Sequence, residues 1–310
     1  MMFSKRKIKE LEPYIVQIAD KMCSRLEGFK VSRKVLDLRL LFTCYATDVI
    51  TEHGFARCKN FLSTEDLSPV WRDMVNLMLL NYHFFKHFPF MWTVIRSIPD
   101  KVVTWLAPDM KLMIDFENGN KEHVNHVLNT DQKGISRPTI FHSLLHSDLP
   151  PSEKSAERLW QEGQTVVGAG TETLSNTLSV LMYYILANPA IYAKLKEELH
   201  THAPTPETHL SWQQLETLPY LTAVIQESLR MSHGVSSPVI RVAPNQELRY
   251  KDWTIPAGTA VGMNIMTLNN RPEMFPNPHE FVPERWLEKK EPSPEIWSFS
   301  KGPRMCVGMK

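Results

Sequence analysis

One helical pattern, 155–187, closed by Asn188-Pro189, is the longest element this chain of 310 residues offers. Proline ends it because it lacks the backbone donor that a helix needs. The middle of the pattern is unusual: Gly168, Ala169 and Gly170 stand together, followed by Thr171-Glu172-Thr173. Glycine inside a helix costs about 1 kcal/mol relative to alanine. Small residues there let a bulky partner lie flat against the helix. Two readings follow: close helix–helix packing, or a ligand surface where a threonine hydroxyl bonds a freed carbonyl and opens a local kink.

The rest of the first two-thirds is also helical in pattern. Ile8, Leu11, Tyr14, Ile15, Ile18 and Met22 recur at helical spacing, and a second helix is expected over 36–55. Ser68-Pro69 reads as an N-cap with proline in the first helical position, opening a helix to about Phe85. Pro89, Pro99 and Pro108 then punctuate an aromatic patch containing Phe88, Phe90, Met91, Trp92, Trp105 and Leu106. That patch is either a helix–loop–helix corner packed on the core or a loop that touches membrane or covers a ligand entrance. A short charged helix is expected over 190–200, with Lys194 and Glu198 paired one turn apart. Ser211 reads as an N-cap, and Pro219 stands near the start of a helix to about Met231.

Beyond His233 the character changes. The runs 239–242, 247–250 and 259–265 are β-rich, with turns at Pro244-Asn245 and Pro256-Ala257-Gly258. Pro272, Pro276, Pro278, Pro283, Pro292 and Pro294 give a meandering approach to the last residues. Helices first and strands later predict an α+β, predominantly α-helical fold.

Composition excludes some functions. Lys and Arg number 35 against 34 Asp and Glu, so no basic excess points to nucleic acid. Cys23, Cys44, Cys58 and Cys306 form no C-x-x-C pair, which fits a reducing compartment and suggests neither a zinc ribbon nor a disulfide framework. The near pairs His142/His146 and His200/His202 have no acid or cysteine at a metal-site spacing and read as solvated or capping histidines. The first residues lack the apolar run of a signal peptide. The most apolar stretch, 76–95, is broken by His83, Lys86, His87 and Pro89, so no transmembrane segment is expected.

The chemistry concentrates near the end. Phe299-Ser300-Lys301-Gly302-Pro303-Arg304-Met305-Cys306-Val307-Gly308 presents a cysteine on a glycine-punctuated loop. A thiolate there can ligate a metal while backbone N–H groups tune its sulfur. Gly302 and Gly308 permit close approach of something flat, and Arg304 suits a carboxylate. Taken alone, such a cysteine is more often a small buried hydrophobe than a ligand. The F-x-x-G-x-R-x-C-x-G spacing, however, strongly resembles the haem-binding loop of the cytochromes P450.

Other segments fit that resemblance in order. Residues 169–173 resemble the family's oxygen-activating groove, which implies that Thr173 and Glu172 handle protons and that Ala169 and Gly170 lie against the cofactor. Glu227-Ser228-Leu229-Arg230 is an E-x-x-R that alone is a weak signal; with Arg285 of Phe281-Val282-Pro283-Glu284-Arg285-Trp286 it implies a buried Glu-Arg-Arg network. Pro238-Val239-Ile240-Arg241 resembles the strand whose arginine meets a haem propionate, making Arg241 and Arg304 the propionate candidates. Asn269 stands where many relatives carry histidine. Phe3-Ser4-Lys5-Arg6, Ala46-Thr47-Asp48-Val49-Ile50 and the 299–304 loop look like filamentous-fungal members of secondary metabolism.

The resemblance implies haem b (iron protoporphyrin IX) held by Cys306 as the iron's axial ligand, with Phe299 and Gly302 shaping the loop. It implies insertion of one oxygen atom from O2 into an apolar small molecule, in terpenoid or polyketide biosynthesis. Electrons would come from NADPH through NADPH-cytochrome P450 reductase, in an endoplasmic reticulum setting with peripheral membrane contact. Residues 1–310 would form a single partial domain. The anchor, first strands, early helices, post-cysteine helix and terminal hairpin of the family have no counterpart in it. The alternative is a truncated, catalytically inactive product or a helical interaction scaffold.

Overall fold

In the computed structural model, residues 5–108, 110–129, 139–205, 208–287 and 295–309 are described. Phe3-Ser4, Pro292 and Pro294 lie outside them. The chain divides into two compact units, and the boundary falls after Ser175.

The first unit is helical. It contains α1 (Lys5–Ser32), α2 (Leu38–Phe55), α3 (Pro69–His87), α4 (Pro89–Ser97), α5 (Asp100–Leu106), α6 (Met110–Asn129), α7 (Ile140–Leu145) and the first part of α8 (Ala156–Ala187). Helix α2 starts later than expected because Asp37 caps it, its carboxylate accepting from the Leu40 N–H at 3.1 Å. Ser68 is no side-chain cap for α3: its backbone is left-handed at φ 47°, and its hydroxyl meets Thr64 at 3.1 Å. The proline-punctuated patch forms α4 and α5, so the helical-corner reading of its backbone holds, although Phe90, Trp105 and Leu106 remain exposed.

One apolar cluster packs Phe55, Trp71, Phe116, Val124, Phe141, Leu159 and Val167, with the Phe55 and Phe141 rings stacked at 5.2 Å. A second joins Ile18 of α1 to Leu41 and Cys44 of α2 and to Leu62 and Leu67. Asp48 is buried beside it and accepts from the Phe61 and Leu62 N–H groups at 2.8 and 3.0 Å, capping the 3-10 turn Phe61–Ser63.

The second unit holds the end of α8, then α9 (Pro189–His202), α10 (Trp212–Glu216), α11 (Pro219–Ser232), β1 (Val239–Val242), β2 (Leu248–Tyr250), β3 (Trp253–Ile255), β4 (Ala260–Met263) and α12 (Ile265–Asn269). Strands β1 and β4 pair antiparallel, Val239 opposite Met263, and β2 and β3 form a separate hairpin, Leu248 opposite Ile255. The expected strand 259–265 is therefore shorter, and α12 follows it, capped by Asn264.

Lys194 and Glu198 do not pair. Lys194 reaches Glu284 at 2.6 Å, while Glu198 accepts from the Tyr220 and Leu221 N–H groups, each at 2.8 Å. Those are free donors at the start of α11, where a carboxylate is favoured. Ser211 caps only the short α10. Tyr184 stacks on Phe281 at 4.6 Å within a core shared with Ile191, Leu195 and Val224. Among the described residues no single helix is long and apolar enough to cross a membrane; α8 and α9 pass that test only together, across a 106° bend.

Candidate functional site

In the first unit the candidate residues lie on α8. Gly168, Ala169, Thr173 and Leu174 are exposed, forming an open strip of small and polar groups. The Thr173 hydroxyl donates to the Ala169 carbonyl at 2.6 Å, the back-bond expected of a threonine at that spacing. The helix runs through this point without a break.

Gly170 corrects the expectation that it faces a cofactor. A Cβ on it would come within 2.6 Å of Ile50 Cγ1, so its missing side chain makes room for α2. The same flank carries two polar links. Thr171, fully buried, meets the Thr47 hydroxyl at 3.2 Å, and Glu172 pairs with Arg39. Burial raises the Glu172 pKa above the usual carboxylate value, against the opposing pull of Arg39. The helix-packing reading of the small-residue segment thus applies at Gly170 and Thr171, while Gly168, Ala169 and Thr173 remain exposed.

In the second unit the candidate is the cysteine loop. Its turns are closed by backbone bonds: Ser300 N–H to Trp297 C=O at 2.8 Å, Met305 N–H to Gly302 C=O at 3.0 Å, and Cys306 N–H to Phe299 C=O at 2.9 Å. Ser300 and Gly302 take positive φ, 58° and 83°; at Gly302 this backbone needs glycine, and no atom stands within 4 Å of where a Cβ would be. Cys306 itself is exposed. The other thiols differ: burial pushes Cys44 up to about 12 and Cys58 to about 11, so both stay protonated. Arg241 and Arg304 are exposed and have no carboxylate partner among the described residues; Arg241 donates only to the neighbouring Ile240 carbonyl, at 3.0 Å.

Behind the loop lies the expected network. Glu227 and Arg230 are fully buried and Arg285 is 8% exposed. Arg230 grips Glu227 with two bonds of 2.8 and 2.9 Å, and Arg285 Nε donates to the same carboxylate at 3.1 Å. The Trp286 indole and the Val282 amide donate to it too, at 2.8 and 2.9 Å. Arg230 also donates to the carbonyls of Asn269, Pro278 and Glu280 at 2.7 to 3.1 Å. Charges so deeply buried persist because the Glu227 carboxylate and the Arg230 guanidinium have partners close by, although Arg285 Nη2 is buried without one among the described residues. Sequence reasoning missed Trp286 as a member of this set and Arg39 as the partner of Glu172, which is 133 positions away. No local spacing signals either contact.

The Cytochrome P450 family model matches residues 1–310. Among curated proteins the chain is similar to cytochrome P450 monooxygenase MO6277 of Ascocoryne sarcoides, 38% identical over 99% of this chain and 63% of that one. It is 36% identical to cytochrome P450 monooxygenase oblB of Cochliobolus heterostrophus, over 99% of this chain and 61% of that protein. N-acetyltryptophan 6-hydroxylase ivoC of Emericella nidulans is 35% identical, with 99% and 62% covered. The chain thus spans about three-fifths of the length of these relatives. Among solved structures, that of a cytochrome P450 (CYP102L1) superposes with a TM-score of 0.77 at 18% identity, covering 99% of this chain and 65% of that one. With the family matched along its whole length, the chain belongs to the cytochromes P450.

Proposed function

We propose that this chain is the haem-binding, catalytic portion of a monooxygenase that inserts one atom of O2 into an apolar small molecule in fungal secondary metabolism. The residues present fit a haem. Cys306 offers an exposed thiol on a loop tied by its own amide, and Gly168 and Gly302 face open space. Ile240, Met263, Met305 and Val307 leave apolar surface uncovered in the unit that carries the cysteine. Arg241 and Arg304 match the two carboxylates such a group carries.

When bound, the haem supplies O2 activation, to which a cysteine thiolate lends electron density. The chain's own residues do the rest. Cys306 holds the group in place, and the Glu227 network fixes the backbone behind the loop. Thr173 places a hydroxyl on the exposed strip of α8, where it orients water and holds a proton at Oγ1. Glu172 places a carboxyl group one residue before it, its pKa raised by burial and drawn down by the paired Arg39, so that it can exchange protons there. NADPH-cytochrome P450 reductase as electron donor and an endoplasmic reticulum setting belong to the same proposal.

The observation that carries this reading is the Phe299–Cys306 loop, closed by backbone bonds yet leaving its thiol open. The test is haem loading of the purified chain, followed by a reduced, CO-bound difference spectrum. The thiolate band at the wavelength that names the family is expected, and Cys306→Ser abolishes it. No haem uptake by the unaltered chain defeats the reading and leaves an inactive helical scaffold.

A further inference from the structure

Asn269 ends α12 and is fully buried. Its side-chain amide is completely used. Oδ1 accepts from the Trp297 N–H at 3.1 Å, and Nδ2 donates to the Ser298 hydroxyl at 3.0 Å and to the Arg230 carbonyl at 3.4 Å. Its backbone carbonyl meanwhile accepts from Arg230 Nη1 at 3.0 Å. One residue therefore bonds both the buried Glu-Arg-Arg network and the segment that leads into the cysteine loop.

Two neighbouring features hold the same segment. The Ser298 hydroxyl donates to the Leu229 carbonyl at 2.6 Å, near the end of α11. Gly234, at φ 62°, lets the Ser298 carbonyl pass where a Cβ would stand 3.0 Å from it. From Trp297 the anchorage continues to the thiol: the Trp297 carbonyl closes the turn at Ser300, and the Phe299 carbonyl accepts from the Cys306 amide. Every link runs through backbone groups, so a shift at Trp297 passes to the position of the sulfur.

We propose that Asn269 is a positioning residue for the Cys306 thiolate, locking the 297–306 loop to the buried Glu-Arg-Arg network. The proposal rests on the haem-thiolate reading above. Only an amide offers two N–H donors and a carbonyl acceptor in one side chain of this size. Histidine keeps one donor and one acceptor, and leucine keeps neither.

The test compares the unaltered chain with Asn269→His, Asn269→Leu and the milder Ser298→Ala. The first readout is the share of bound haem that gives the thiolate band. It is expected to fall in the order Asn, His, Leu, with Ser298→Ala between the unaltered chain and Asn269→Leu. The second readout is amide hydrogen exchange in the unloaded chain. In Asn269→Leu the Trp297 amide is expected to exchange about tenfold faster or more, while α11 and the β1–β4 pair keep their protection. An unchanged thiolate share in Asn269→Leu overturns the proposal. So does faster exchange spread evenly over the second unit, which marks Asn269 as a general stabiliser. If the unaltered chain takes up no haem, the functional reading fails separately, and the exchange pattern alone decides whether Asn269 anchors the loop.

Discussion

Cys306 and Cys44 carry the same thiol into opposite surroundings. Cys44 is fully buried, donates to the Leu67 carbonyl at 2.9 Å and titrates near about 12. Cys306 stands exposed on its loop, as does Cys23 on α1. A thiol-alkylating reagent at neutral pH is therefore expected to modify Cys306, to modify Cys23 more slowly because burial, Asp20 and Glu27 raise its pKa, and to spare Cys44. Haem loading should then shield Cys306 alone, read by mass spectrometry of the peptides. At this scale the residues of the loop were legible, because their spacing is local and their chemistry distinctive. Gly170 was not: a glycine beside other small residues looks the same whether it faces a ligand or a helix. Only the position of Ile50, 120 residues earlier in the chain, decides between them.

Helices α2 and α8 show how an element is specified by its neighbour. Thr43, Thr47 and Thr51 follow one another at four-residue spacing, each hydroxyl bonding the carbonyl four residues back, at 2.8, 2.7 and 2.8 Å. This satisfies polar groups that α2 must bury and leaves Thr47 able to meet Thr171 and the Trp71 indole. Gly170→Ala should destabilise this contact. Overpacking costs about 1–3 kcal/mol, and better helix propensity returns only about 1 kcal/mol. Ile50→Ala alone should also destabilise, by opening a cavity, yet the double variant should cost less than the sum of the two. Denaturant unfolding of all four proteins measures that coupling; strict additivity would show that the two side chains do not compete for space. Helix existence was legible from periodicity throughout. Caps were harder, since the partner of the α11 N-terminus is Glu198 of another helix, and Ser68 carries the residue type of a cap without the geometry.

Across the whole molecule, acid should weaken the first unit. His123 lies against the Phe55 and Phe141 rings, at 5.9 and 5.8 Å, and burial, with Arg57, His126 and His142 nearby, lowers its pKa. Burial lowers that of His142 as well, whose Nδ1 accepts from the Thr139 amide at 3.1 Å. A base held below its unfolded pKa contributes stability above that value and loses it as pH falls through the folded one. The melting midpoint should thus drop by a few °C, in order of magnitude, as pH falls from about 7 to 5. His123→Phe should flatten that slope. Asp48 and Glu172, both raised by burial, act in the opposite sense as they protonate and so oppose this loss. The overall plan, helices first and short strands after, was legible because it rests on composition and period. The arrangement of charges was not, because it depends on burial, which no residue declares by itself.

The carboxylate of Glu227 has a consequence for synthesis. Its helix leaves the ribosome well ahead of the Val282 amide, Arg285 and the Trp286 indole, which lie 55 to 59 positions downstream. Until those donors emerge, Glu227 has only Arg230 to balance it, and burying the pair so incompletely satisfied is costly. Helix α11 is therefore expected to stay solvated until they do, and a nascent chain stalled before residue 282 should show its amides unprotected in hydrogen exchange. Protection of α11 is expected once residue 286 has emerged and the charge can acquire all of its partners.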